Sequence, residues 1–208
     1  MRVSVYAHLY TKSMGGQYVK TQPRVALFLA PGVEECEALV IYDLLFRASI
    51  ACDKIAVAPT RSVVSSHNIE LTCDYALDDP DFSFDNYDLL FLPGGLPGTT
   101  NLQENKKLCD AVVNHHKQGK LLAAVCAAPS VFARLGLLEN NRATSNPGFQ
   151  DVLREFGSVV VQDSYVKTGT IFTSKGLGTC IDLGLALIEE LADHDTMEKV
   201  KQGIVYMH

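Results

Sequence analysis

Runs of apolar residues alternate along this chain with segments that repeat apolar positions every three to four residues. Buried strands are predicted where the runs are nearly uninterrupted, at residues 25–30, 54–58, 87–92 and 121–125. Helices are predicted at residues 33–48, 105–118 and 177–191. Shorter stretches predict strands at 143–145, 159–162 and 171–174, and a hairpin within 62–73 that turns at His67 and Asn68. The alternation predicts an α/β fold with a mostly parallel sheet covered by helices on both faces.

Three of the predicted strands end in residues that suit a binding site. In parallel sheets, ligands bind outside the carboxyl ends of the strands, near the point where the strand order reverses. If these strands are neighbours, their ends meet in one crevice, which predicts the functional site. The three ends are Pro31-Gly32 with Glu34, Glu35 and Glu37 after it, then Pro93-Gly94-Gly95, and then Cys126.

Cys126 directly follows a buried strand and precedes Ala127, Ala128 and Pro129, which predict the start of a helix. The cysteine is therefore predicted on a sharp turn, where the N–H groups and partial positive charge of a helix N-terminus favour the thiolate. The alternative is a cysteine that fills space at a strand end, which is the usual role of free cysteines. This segment alone fits both interpretations equally well.

The acidic residues after the first strand also allow two interpretations. Carboxylates at a helix start interact favourably with the helix dipole, which accounts for Glu34 and Glu35. In the second interpretation, one of Glu34, Glu35 and Glu37 lies under the helix and faces Cys126. Burial and like charge would then raise the pKa of that carboxyl, so that it keeps its proton and serves as a general acid or base.

Other groups that could assist the cysteine are backbone donors and histidines. The N–H groups of Gly94, Gly95 and Ala127 are candidate donors to a developing oxyanion, although paired glycines also make tight turns without a ligand. His115 and His116 are predicted to face solvent, and no catalytic triad is recognisable among the six histidines. A cysteine–glutamate pair is therefore favoured over a cysteine–histidine pair.

Composition narrows the function classes. The chain has 208 residues, enough for one domain, with 47% hydrophobic residues and a formal net charge of −6. Without a basic cluster, nucleic acid is not an expected partner. Its apolar runs fall short of the ~20 residues that span a bilayer, so no membrane association is expected. The six scattered cysteines favour neither zinc nor disulfides, and indicate a reducing compartment such as the cytoplasm.

Residues 1–23 differ in character from residues 24–208, which are predicted to form the domain. The first segment has three basic residues and no acidic ones, and regular patterning begins only near Arg24. We expect an irregular or appended N-terminal arm, with an organellar leader as the alternative.

Four motifs in order resemble the DJ-1/PfpI superfamily, specifically its DJ-1/ThiJ/YajL branch, from about Arg24 to the C-terminus. Each motif alone is weakly specific, whereas this order and spacing is highly specific. The motifs are A-P-G-V-E-E-C-E at 30–37, L-P-G-G at 92–95, A-V-C-A-A-P at 124–129 and T-S-K-G-L-G-T at 173–179.

The resemblance implies a flavodoxin-like three-layer sandwich that is usually homodimeric. Cys126 corresponds to the family's reactive, easily oxidised cysteine, and Glu37 to the protonated glutamate that hydrogen-bonds it. Gly94, Gly95 and Ala127 correspond to the backbone donors beside that cysteine.

Three further positions concern the surroundings of the cysteine. Arg47 corresponds to an arginine near the site that can bind anions. His67 stands where many members have another arginine, often reaching across the dimer. Asn146 stands where many members have a histidine, and an amide cannot shuttle a proton near neutral pH. The family's peptidases have a histidine directly after the nucleophile, where this chain has Ala127, so no peptidase activity is expected.

The resemblance implies a cofactor-independent cysteine enzyme that acts on small reactive carbonyl compounds. The expected substrates are α-oxoaldehydes such as methylglyoxal, in a glyoxalase III-like or deglycase-like reaction. The alternative is a redox sensor or redox-dependent chaperone of the oxidative-stress response, without a dedicated substrate. Selective oxidation of Cys126 would mark that alternative.

Overall fold

The computed structural model describes residues 10–12, 18–20 and 22–207. Its strands are β1 (Tyr10–Lys12), β2 (Tyr18–Lys20), β3 (Arg24–Leu29), β4 (Ala51–Ala56), β5 (Ser62–Val64), β6 (Glu70–Thr72), β7 (Tyr75–Ala76), β8 (Leu89–Leu92), β9 (Leu121–Val125), β10 (Arg142–Ala143), β11 (Val159–Val160), β12 (Tyr165–Thr168) and β13 (Ile171–Ser174). Its helices are α1 (Glu35–Arg47), α2 (Gly98–Glu104), α3 (Lys106–Lys117), α4 (Pro129–Arg134), α5 (Gln150–Glu155), α6 (Cys180–Leu191) and α7 (His194–Gly203).

A seven-stranded sheet forms the centre of the molecule, in the order β12-β13-β9-β8-β3-β4-β7. Every neighbouring pair is parallel except β12 with β13. The central strands β3, β8 and β9 are apolar on both faces because helices cover both. The predicted mostly parallel sheet is confirmed.

Two hydrophobic cores lie on opposite faces of this sheet. One core packs strand residues such as Leu27 and Phe91 against α1, α6 and α7. The other packs Phe28 and Leu90 against α2, α3, α4 and α5. The three layers are those of a flavodoxin-like sandwich, as predicted.

Several predicted elements differ from the observed ones at their ends. The helix predicted at 33–48 begins at Glu35, where the Glu34 side chain accepts a hydrogen bond from the Glu37 N–H at 2.6 Å and caps it. The helix predicted at 177–191 begins at Cys180, after a 3₁₀ turn at Leu177–Thr179. The strands predicted at 143–145 and 159–162 are the short β10 and β11, which pair with each other outside the main sheet. The predicted hairpin is β5 and β6.

The N-terminal segment contains a short antiparallel pair, β1 with β2. The rest of residues 1–21 lies outside the described residues. That residues 1–23 form an irregular or appended arm therefore stays a prediction. Within the part of the chain described, no helix is both long and apolar enough to cross a bilayer.

Candidate active site

Four adjacent strands, β13, β9, β8 and β3, direct their carboxyl ends to one edge of the sheet. In the sheet, β3 lies between β4 and β8. β4, the next main-sheet strand along the chain, lies on one side of β3, and β8, which comes later in the chain, lies on the other side. The strand order therefore reverses between β3 and β8, and the segments that follow these strands meet at this point. The predicted convergence of the three strand ends is confirmed, and a fourth end, that of β13, joins them.

Cys126 lies on the predicted sharp turn between β9 and α4. Its φ of 63° is left-handed, which is unusual for a residue with a side chain. Two backbone hydrogen bonds hold it there. Its N–H donates to the Ser174 carbonyl at 3.0 Å, and its carbonyl accepts from the Asn146 N–H at 2.8 Å. The strained turn is thus fixed by neighbouring segments and leaves the side chain half-buried in the crevice.

Glu37 reaches Cys126 from the first turn of α1. Its side chain is 2% exposed and shares a hydrogen bond with the Cys126 thiol. Its Oε2 also accepts from the Gly94 N–H at 3.0 Å, and the Leu177 N–H contributes another hydrogen bond. Of the three acidic residues that precede or begin α1, Glu37 is therefore the one that contacts the thiol.

The surroundings raise the pKa of both members of this pair. Burial, with the nearby charge of Glu34, raises the pKa of the Glu37 carboxyl. Burial and Glu37 raise the pKa of the Cys126 thiol to about 12, against the lowering effect of the Ala127 and Gly95 N–H groups. Because each ionisation disfavours the other, the two groups titrate as a pair that retains one proton between its two steps.

The expectation that the helix N-terminus lowers the thiol pKa needs correction. Helix α4 begins at Pro129 and has only six residues, so its dipole is small, while burial and Glu37 act more strongly in the opposite direction. A thiolate at Cys126 therefore requires the proton of the pair to reside on Glu37.

Two of the three predicted backbone donors face the sulfur. The N–H groups of Gly95 and Ala127 hydrogen-bond Cys126, whereas the Gly94 N–H is used by Glu37, which corrects its assignment as a donor to an oxyanion. Gly95 has a φ of 94°, and a Cβ there would overlap the backbone of Glu34 and lie 2.6 Å from the Gly32 carbonyl oxygen. Glycine is required at Gly95 for this close approach.

Gly176 is a site residue that reasoning from the sequence did not assign. A Cβ at this position would lie 3.7 Å from Glu37 Oε1, 3.9 Å from Cys126 Sγ and 4.0 Å from Asn146 Nδ2. Its missing side chain therefore leaves room beside the thiol. Gly176 belongs to the motif at 173–179, but nothing in that motif indicated that this glycine lies beside the thiol. The same distances place the Asn146 amide at the site, as the resemblance implies.

The other two predicted residues pair with acidic side chains. Arg47 is the last residue of α1, about 15 Å along the helix from Glu37, and it pairs with Asp43 at 2.7 Å. Within one chain it therefore lies outside the crevice around Cys126, and its assignment as an anion-binding residue near the site stays a prediction. His67 lies in the β5–β6 hairpin, with Nδ1 2.8 Å from Glu35 Oε1.

One further prediction about the histidines was wrong. His115 is 3% exposed, not solvated, because α3 packs this side against the sheet at β9. Its Nε2 lies 3.4 Å from the carbonyl oxygen of Asp88, the residue before β8. His194, near the C-terminus, pairs with Glu189 at 3.0 Å.

The fold and site define a class of protein: a doubly wound α/β sandwich with a cysteine on a strained turn, hydrogen-bonded by a buried glutamate. The model of the DJ-1/PfpI family matches residues 23–190. The chain belongs to the DJ-1/PfpI family.

Individual relatives agree with this assignment. The protein dj-1beta of Drosophila melanogaster is 32% identical over 86% of this chain and 95% of its own length. The crystal structure of Drosophila DJ-1beta superposes with a TM-score of 0.85 at 31% identity, over 90% of this chain and all of that one. An isonitrile hydratase of Pseudomonas putida is 27% identical, over 88% of this chain and 78% of its own length.

Proposed function

We propose that this protein is a cofactor-independent cysteine enzyme that converts α-oxoaldehydes such as methylglyoxal to hydroxy acids. The observation that supports the proposal is the buried Glu37 carboxyl in hydrogen-bond contact with the Cys126 thiol. A general base within reach of a nucleophile is what attack on an aldehyde requires. Membership of a family that includes an isonitrile hydratase is consistent with an enzymatic role.

The proposed reaction begins with proton transfer from the Cys126 thiol to Glu37 as the sulfur attacks the aldehyde carbon. Glu37 then returns this proton to the alkoxide oxygen, which gives a hemithioacetal. The raised pKa of Glu37 suits both transfers, because its conjugate base is stronger than an ordinary carboxylate. The N–H groups of Gly95 and Ala127 stabilise the negative charge on the sulfur before attack, and this charge moves to the carbonyl oxygen as the C–S bond forms.

The remaining steps isomerise and release the product. Glu37 removes the proton from the former aldehyde carbon and delivers it to the neighbouring carbonyl carbon. The hydroxyl proton of the hemithioacetal moves to the oxygen on that neighbouring carbon. The resulting thioester of a 2-hydroxy acid is hydrolysed by one water molecule, which frees the thiol. Overall, methylglyoxal and water give lactate and one proton, with no external oxidant or reductant. Asn146 can orient oxygen atoms by hydrogen bonding but carries no proton in this scheme.

The test is lactate formation from methylglyoxal by the wild-type chain and three variants. Cys126→Ser and Glu37→Gln are each expected to lower kcat/KM at least about a hundredfold, because each removes a reacting group. Cys36→Ser changes an exposed cysteine adjacent to Glu37 in sequence and is expected to retain activity. Full turnover by Cys126→Ser or by Glu37→Gln would disprove the mechanism.

A redox-sensing role is the second candidate. The reactive thiolate of Cys126 forms when the proton of the pair moves to Glu37, and small oxidants can reach the sulfur because it is half-buried. The protonated Glu37 can then donate a hydrogen bond to the oxidised sulfur. We expect mass spectrometry after mild peroxide treatment to show oxidation of Cys126 before the other five cysteines. Cys109, which is half-buried like Cys126, is the internal control. Oxidation of Cys109 first, or of all six at the same rate, would count against a sensor.

We also propose a cytoplasmic location, on the basis that all six cysteines are free thiols. Localisation of a tagged full chain by microscopy checks it, and targeting to an oxidising compartment would contradict it.

A further inference from the structure

Glu34, Glu35 and His67 form a cluster at the N-terminus of α1. The His67 Nδ1 atom lies 2.8 Å from Glu35 Oε1 and 4.0 Å from Glu34 Oε1. One donor atom from each residue lies within 4.8 Å of the other two. An imidazole nitrogen and two carboxylate oxygens are a ligand set that suits divalent transition metals.

The distances between these atoms are close to those in a metal site. Ligands of a tetrahedral ion with bonds of about 2.0–2.1 Å are roughly 3.4 Å apart. The 2.8 Å and 4.0 Å separations lie on either side of this value, so side-chain shifts of under about 1 Å would complete the geometry. Glu34 can provide Oε1 while its Oε2 continues to cap the Glu37 N–H. The helix start would therefore be preserved on binding.

A second observation points to a missing ligand. Glu35 is 5% exposed, and its Oε2 atom is buried without a hydrogen-bond partner. A buried carboxylate oxygen that lacks a hydrogen-bond partner is costly, and a cation bound at the cluster would offset this cost.

We propose that Glu34, Glu35 and His67 bind one divalent transition-metal cation of the Zn²⁺ type, with water completing its coordination. His67 is 65% exposed, so an ion can reach the cluster from solvent. The two carboxylates and a neutral imidazole leave two negative charges, which a divalent cation balances. The scattered cysteines of the sequence favour no zinc site. These three ligands come together only in the fold, from the start of α1 and the β5–β6 hairpin.

The experiment is a titration of the metal-free full chain with Co²⁺, followed by absorption spectroscopy and calorimetry. We expect one equivalent to bind, with ligand-field bands but no sulfur-to-cobalt charge-transfer band, because all protein ligands are nitrogen and oxygen. His67→Asn is expected to weaken binding by about tenfold or more, and Glu34→Gln should do so while retaining the cap oxygen.

His194→Asn is the matched control, since His194 is also an exposed histidine paired with one glutamate, and it should leave the affinity unchanged. The proposal is overturned if the wild-type chain does not bind Co²⁺ at millimolar concentration. It is also overturned if His67→Asn and Glu34→Gln bind as tightly as wild type. A charge-transfer band would place the ion on a cysteine and equally refute the site.

Discussion

Glu37 carries a carboxyl group into a part of the crevice from which water is largely excluded, and its pKa is raised as a result. A carboxyl whose pKa is higher in the folded than in the unfolded chain binds its proton more tightly when folded. Its contribution to stability is therefore fully present below the unfolded value of about 4.3 and is lost as the pH rises through the folded value.

Replacing Glu37 with glutamine should thus become more favourable for stability as the pH rises. We expect the difference in Tm between Glu37→Gln and wild type to increase from pH 4 to pH 7. Each kcal/mol by which wild type loses unfolding free energy relative to the variant corresponds to about 2–4 °C. Glutamine keeps an acceptor for the Gly94 N–H and a donor for the sulfur. Glu155→Gln, at an exposed carboxyl, is the control, measured by calorimetry at both pH values. A Tm difference for Glu37→Gln that stays constant or shrinks would contradict the raised pKa.

A comparison of Gly95 with Gly119 distinguishes two energetic costs of a side chain at a residue with positive φ: the cost of the backbone conformation and the cost of steric overlap. Both have positive φ, 94° and 72°, but a Cβ at Gly95 would overlap Glu34 whereas one at Gly119 meets open space. Gly119→Ala should cost about 1–2 kcal/mol from backbone conformation alone. Gly95→Ala should cost at least about 3 kcal/mol, because the overlap adds to it. Urea unfolding measures both, and equal costs would show that the loop relaxes freely.

Some site residues were predictable from the sequence because their side chains have chemistry, as with Cys126 and Glu37. Gly176 and the Ser174 carbonyl were not, because they contribute an absent side chain and a backbone oxygen. Arg47 was assigned from the resemblance alone, and within one chain ten residues of helix separate it from Glu37 by about 15 Å.

At the level of elements, the crossing of α1 and α6 depends on Gly184. A Cβ there would overlap Leu44 Cδ1 and lie 3.3 Å from Ile41 Cδ1. Alanine is favoured over glycine in a helix by about 1 kcal/mol, but overpacking costs about 1–3 kcal/mol. We therefore expect Gly184→Ala to destabilise the chain by about 1 kcal/mol in urea unfolding.

The same substitution in a Leu44→Ala background should be neutral or stabilising, since the overlapping methyl group is gone. A double-mutant cycle measures this coupling. An equal cost of Gly184→Ala in both backgrounds would show that the two helices adjust by moving apart.

The buried parallel strands were predictable because each is a nearly continuous apolar run covered on both faces. The elements that were missed are short or partly exposed and lack such a run. The edge strand β12 is buried at only one of its four positions, and α2 and α7 are largely polar segments. Their structure depends on packing against the sheet, which local sequence does not reveal.

At the scale of the whole molecule, the outer side of α1 is incompletely covered. Leu39 is 39% exposed and Phe46 is 72% exposed, and an apolar groove beside Leu39 is lined by Ile181 and Ile204. Exposed apolar surface of this kind commonly marks an interface. Together with the resemblance, it supports the prediction that the chain is a homodimer.

Sedimentation equilibrium should give twice the chain mass of 22.7 kDa at micromolar concentration. Phe46→Glu is expected to shift the equilibrium toward the monomer, because a carboxylate would be desolvated on association. Phe84→Leu, on the opposite face of the sheet, should leave the mass unchanged. A wild-type chain that sediments as a monomer would exclude the dimer.

The four strands that meet at Cys126 bring together segments that are far apart in the chain, from Glu37 to Gly176. No fragment shorter than this span contains the whole environment of the sulfur. The rate at which an alkylating reagent modifies Cys126 should therefore report whether the tertiary structure has formed. This rate would distinguish a chain with all strands of the sheet correctly paired from a collapsed chain that has only its secondary structure.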